Sequence, residues 1–109
     1  MRLTALALLA ALSAAPLAAQ RVPPLTAAFL VGRWTDTGDC ARYVIFRGDG
    51  TFRSYAGGEG TWRLAGDRLT LTPGRGRPSV LRATVVAQTR IAIVNPDGSR
   101  GTSERCPAR

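Results

Sequence analysis

From residue 31 onward, turn signals break the chain into short alternating runs, and that spacing excludes most folds. Eight such runs follow one another: LVGRWT, ARYVIF, TFRSYA, TWRLAG, RLTLTP, VLRATVVA, RIAIVN and TSERC. Asp49-Gly50, the GGEG segment, Gly66-Asp67 and the PDGSRG segment separate several of them. Glycine tolerates the positive φ that tight hairpins require. Within the runs, side chains alternate as they do on a half-buried strand. Val44 and Phe46 share a face, as do Phe52 and Ala56 opposite Arg53 and Tyr55. Trp62 and Leu64 oppose Thr61 and Arg63, and Leu69 and Leu71 oppose Thr70 and Thr72. No stretch after residue 30 carries a 3.6-residue period. Connections this short join antiparallel neighbours, because a parallel crossover needs a dozen or more residues. The expectation is an all-β fold, a small antiparallel up-and-down barrel of about eight short strands whose closure leaves no free edge.

The chain opens MRLTALALLAALSAAPLAAQ. A charged start, a short apolar run and a small-residue end form the layout of a secretory signal peptide. Its apolar run falls short of the roughly 20 residues that a membrane span needs. Residues 1–19 are therefore expected to be a cleaved leader. No cysteine follows the apolar run, so no lipid anchor is expected. The mature chain would be periplasmic or secreted, without a membrane span. Residues 20–30, QRVPPLTAAFL, form an entry segment in which two prolines resist regular structure and LTAAFL makes a short plug. Residues 31–109 are expected to form the barrel domain.

Export frames the two cysteines. An oxidising compartment and an even count point to a Cys40–Cys106 disulfide, which closes most of the mature domain. Such a loop constrains the unfolded chain by on the order of 4 kcal/mol. All 15 basic residues are arginine, which leaves a strongly positive balance once the leader is gone. Arg53 and Arg63 fall on outward strand positions, and Arg33, Arg42 and Arg82 are candidates to join them in a basic patch for an anionic partner. Nucleic acid is not an expected partner: Tyr55 is the one obvious outward ring for base stacking.

Catalytic chemistry is scarce. The chain has no histidine, which removes the Ser-His and Cys-His nucleophile systems and the usual zinc sites. Asp36-Thr37-Gly38 matches the triplet that holds the catalytic carboxylate of aspartic proteases. Its surroundings do not fit, because a charged residue follows the glycine and Arg33 precedes the strand. Asp36 or Asp39 is instead expected to take backbone hydrogen bonds within a polar loop. The two lack the spaced ligand series of a calcium loop. Asp49, Glu59, Asp67 and Asp97 are expected at hairpin tips, where solvated turn acids sit. No enzyme activity, no metal and no cofactor are expected.

Gly32 and Trp34 in LVGRWT resemble the Gly-x-Trp opening of calycins, the group that includes lipocalins. FRGDGTFRSYAGGEGTWRLAGDRLTLTP resembles small bacterial lipocalin-like exported proteins. The resemblance spans about residues 30 to 106 and implies that Trp34 packs across a closed barrel end near an arginine of the last strand, with Arg105 or Arg100 as the match. Trp34, Phe46, Phe52, Trp62 and Leu71 are the candidate interior residues, with Gly32 and Arg105 at the barrel end. The implied function is a monomeric, non-enzymatic binding module for a small apolar ligand or an envelope component. The alternative is a protein-binding module resembling small bacterial metalloprotease inhibitors, which use the segment before the barrel.

Overall fold

The structure is a computed structural model that describes residues 22–108; the expected leader lies outside the described residues, as do Gln20, Arg21 and Arg109. One helical turn, α1 (Ala27–Leu30), precedes eight strands. These are β1 (Gly32–Thr35), β2 (Val44–Phe46), β3 (Thr51–Ser54), β4 (Glu59–Ala65), β5 (Arg68–Pro73), β6 (Ser79–Ala87), β7 (Arg90–Val94) and β8 (Arg100–Arg105). Each pairs antiparallel with the next, and β8 returns to β1 through Trp34–Arg105 and Thr35–Glu104, closing the barrel. The all-β expectation and the Cys40–Cys106 disulfide both hold, with the two Cα atoms 5.8 Å apart.

The turns follow from their sequences. In Asp49-Gly50-Thr51 and Asp97-Gly98-Ser99, the aspartate Oδ1 accepts from the backbone N–H and the hydroxyl two residues on. Both glycines lie at φ +88°. A shared frame closes the two loops: Gly50 N donates to the Arg47 carbonyl and Arg47 N to Thr51, as Gly98 N does to Asn95 and Asn95 N to Ser99. These hydrogen bonds hold each carboxyl below the usual carboxylate range. Glycine also serves packing. A Cβ on Gly60 would lie 2.1 Å from the Thr72 carbonyl oxygen, so β4 approaches β5 there only because the residue has no side chain.

Two expectations about local placement change. β3 stops at Ser54, which takes the next inward position, and Ala56 lies exposed in the following turn with its N–H bonded to Ser54 Oγ. The turn wins because the Ser54 hydroxyl offers that amide a local partner. Glu59 is not at a hairpin tip. It opens β4 directly opposite Arg53, because the loop that begins at Tyr55 closes one residue earlier.

Leu30, Trp34, Phe46, Phe52, Leu69 and Ile91 form the buried core, with Trp62, Leu64, Leu71, Val85 and Ile93 partly buried against it. Leu25 and Phe29 of the entry segment also pack on this core. The plug is anchored locally: Thr26 Oγ1 accepts from Phe29 N and caps the turn. Among the described residues, no helix is long and apolar enough to cross a membrane.

Candidate functional site

The two ends of the barrel are built differently. At the plugged end, Trp34 is 1% exposed, and its indole N–H donates to the Leu30 carbonyl at 2.9 Å. The Arg105 guanidinium lies 4.5 Å from the Trp34 ring centroid and 4.8 Å from that of Phe29. It also donates to the carbonyls of Val31 and Phe29. One cation thus covers two aromatic faces and satisfies two carbonyls that α1 leaves free. Gly32 sits beneath it at φ +133°, where a Cβ would come 3.2 Å from Arg105 Nη1. Arg105 therefore fills the position for which Arg100 was the other candidate; Arg100 is exposed at the start of β8. Trp62 closes the same end, edge-on to Phe46 at 5.6 Å and donating to the Arg47 carbonyl.

Past Trp34, toward the other end, the interior is not filled. A cavity of about 320 Å³ opens there. Val44, Phe46, Phe52, Leu71, Leu81 and Ile93 line its apolar wall, with Trp34, Leu69 and Ile91 deeper in. Its polar residues are Asp36, Ser54, Asn95, Thr102 and Ser103. An eight-stranded barrel is just wide enough either to be filled by side chains or to hold one small ligand. This one falls on the second side of that limit because Ser54, Gly101 and Ser103 occupy inward positions that larger side chains would fill.

Asp36 sits in the polar loop that the sequence suggested, but with a partner that the sequence did not suggest. Its loop neighbour Asp39 behaves as expected, accepting from Ala41 N at 2.9 Å. Asp36 lies in the same loop, one residue past β1 and exposed, where it borders the mouth of the cavity and accepts from the hydroxyl of Ser103. A second recess of about 220 Å³ shares Trp34, Asp36, Val44 and Ser54 with the main cavity and adds Thr37, Arg42, Tyr43 and Tyr55.

The five candidate arginines do not gather at one point. Arg33 and Arg53 flank Ile45 on a single cross-strand row. Arg33 lies 5.3 Å from the Tyr43 ring and donates to the Pro107 carbonyl, while Arg53 faces Glu59. Arg63 is on β4 opposite Thr70, and Arg42 is exposed in the β1–β2 loop. Arg82 belongs to a different row, opposite Arg68, and is ion-paired with Asp67 at 3.2 Å.

Among the described residues, no three of His, Cys, Asp and Glu come together as a metal site. No protein-family model matches the chain, and no curated protein or solved structure resembles it at a significant level. The architecture alone defines the class: a closed, eight-stranded antiparallel barrel with one disulfide, consistent with a calycin-like fold.

Proposed function

We propose that this chain is an exported, monomeric, non-enzymatic binding module of the lipocalin-like type that takes a small apolar ligand into its barrel. The observation that carries this reading is the cavity of about 320 Å³, apolar along its wall and polar at Asp36, Ser54 and Asn95. That is the composition of a small-molecule site, in which apolar walls supply affinity and a few polar groups set orientation. Asp36 is the one acid among the lining residues, so the cavity lacks the paired carboxylates that activate water. The disulfide fits an oxidising compartment.

The entry segment supports the barrel interior over the inhibitor-like alternative. An inhibitory trunk must be free to enter a partner's cleft, whereas Leu30 is fully buried and Leu25 and Phe29 pack on the core.

The test is calorimetric titration of the mature protein with 1-octanol, followed through Trp34 fluorescence as well. Saturable one-to-one binding is expected, and it should be lost in Leu81→Trp, which fills the wall, while the thermal midpoint is retained. No saturable binding, or binding indifferent to Leu81→Trp, would remove the reading. Native mass spectrometry of the exported protein would then identify the natural ligand as a stoichiometric adduct.

A further inference from the structure

We infer that the ligand is a short cationic amphiphile, an ammonium head on an apolar tail, and that Asp36 is its counter-ion. The inference rests on the proposed binding role of the barrel interior and names the chemistry that this interior selects. It begins with a contrast among the acids. Asp67 is ion-paired with Arg82, and Glu104 with Arg90 at 2.7 Å. Asp39, Asp49 and Asp97 accept hydrogen bonds inside their own turns. Glu59 lies opposite Arg53 in the ladder. Asp67 also borders an apolar recess, beside Leu25 and Val85, but it is already paired; Asp36, exposed at the mouth of the main cavity, is not. Among the described residues no arginine comes within ion-pairing distance of it, in a chain with 15 basic residues.

The carboxylate is also held with one oxygen to spare. Ser103, which is 6% exposed, donates its hydroxyl to Oδ1. Oδ2 receives no hydrogen bond from any described residue. Other acceptors border the same cavity. Asn95 Nδ2 donates to Ser99 Oγ, which leaves the amide oxygen as its acceptor, and Ser54 contributes a hydroxyl. An ammonium carries three donors and no acceptor, so a carboxylate oxygen with a neighbouring amide or hydroxyl oxygen is its natural complement. A carboxylate head would instead bring like charge against Asp36 at the cavity mouth, an unfavourable contact that solvent screens only in part. Size sets the tail. Taking about 30 Å³ per water-sized group, the cavity holds roughly ten such groups, which corresponds to an eight-carbon chain with its head. The net positive charge of the protein opposes an approaching cation at long range, but salt near physiological strength screens this within about 8 Å. The contact with Asp36 acts well inside that distance. Arg42, in the adjoining recess, is the one lining residue that would favour an anion.

The experiment is calorimetric titration with octylamine, 1-octanol and octanoate at neutral pH, on the mature wild-type protein and on Asp36→Asn. Asparagine keeps an oxygen to accept from Ser103, and equal thermal midpoints will verify that the barrel is intact. Octylamine is expected to bind about three- to fivefold more tightly than 1-octanol, the size of an ion pair with an exposed carboxylate, and octanoate more weakly than either. In Asp36→Asn the amine-to-alcohol ratio should fall to about one. Equal binding of amine and alcohol by the wild type, tightest binding of octanoate, or a ratio unchanged in the variant would each overturn the inference while leaving the cavity as a binding site. Failure of all three ligands to bind would overturn both.

Discussion

The plugged and open ends of this barrel are made from the same eight strands, yet they differ in what their inward positions carry. At the plugged end these positions hold Trp34, Phe46, Trp62 and Arg105, and α1 adds the fully buried Leu30. At the open end they hold Ser54 and Ser103 around a cavity, with Asp36 and Asn95 of the adjoining loops at its mouth. A small barrel cannot maximise both packing and ligand space. Here the two demands are separated along the barrel axis, so that one end supplies the stability that an empty other end forgoes.

The largest perturbation acts on the link between the ends. The loop that leaves β1 at the open end folds back, held by Thr35 Oγ1 donating to the Asp39 carbonyl at 2.9 Å, and Cys40 is then bonded to Cys106 after β8. Replacing both cysteines by serine is expected to lower the unfolding free energy by about 4 kcal/mol, mainly through the freed unfolded chain. A urea titration of both forms measures it, and a loss below about 1 kcal/mol would mean that the noncovalent contacts of the loop already hold it.

Next comes a direct comparison of the ends. Leu30→Ala should cost about 3 kcal/mol, because it empties a closed site, whereas Leu81→Ala should cost about 1 kcal/mol, because that side chain already borders a void. Equal losses in urea would dissolve the distinction between a packed and an unpacked end. Arg105→Leu is expected to cost about 2 kcal/mol, by removing a cation from two rings and leaving the Val31 and Phe29 carbonyls without their donor. A thermal scan would show whether the arginine is a cover or only a neighbour.

The smallest effect compares Asp49, in the β2–β3 turn of the plugged end, with Asp97, in the β7–β8 turn of the open end. Folding lowers both carboxyl pKa values from 3.8, chiefly through the side-chain hydrogen bond from Thr51 or Ser99. A depressed folded pKa means that the carboxylate form favours the folded state. This contribution is therefore complete above the unfolded value and fades as pH falls below about 4 through the folded value. Asp49→Asn and Asp97→Asn should each lower the urea midpoint slightly at pH 7, and progressively less as pH falls below about 4. Because the two turns are built alike, they should respond alike. A larger response at Asp49 would show that the plugged end transmits turn strain into its packing, which the open end does not.

Much of this was legible in the chain. Alternation in RLTLT and TWRL set the inward and outward faces, and Asp49-Gly50 and Gly66-Asp67 marked real hairpins. The disulfide needed only two cysteines and an export-type leader. Gly32 and Trp34 pointed to the plugged end through their resemblance to calycins. What was missed lies outside strand alternation. Ala56 was placed by continuing an alternation that the Ser54 hydroxyl ends. Asp36 was read correctly as part of a polar loop, but its contact with Ser103 at the cavity mouth joins residues far apart in the chain, which local pattern does not show.

Sequence by itself determined the strands, their faces, the antiparallel order and the covalent closure, since each depends on neighbours within a few residues or on a unique pairing. Only the tertiary structure decided that Arg105 rather than Arg100 covers Trp34, that Arg82 sits in a row apart from Arg53, and that the barrel holds a cavity with Asp36 at its mouth. Those outcomes depend on the register of eight strands around a closed ring. Interior volume is the difference between the space that this ring encloses and the side chains all the strands turn into it, and no single stretch of sequence specifies that difference.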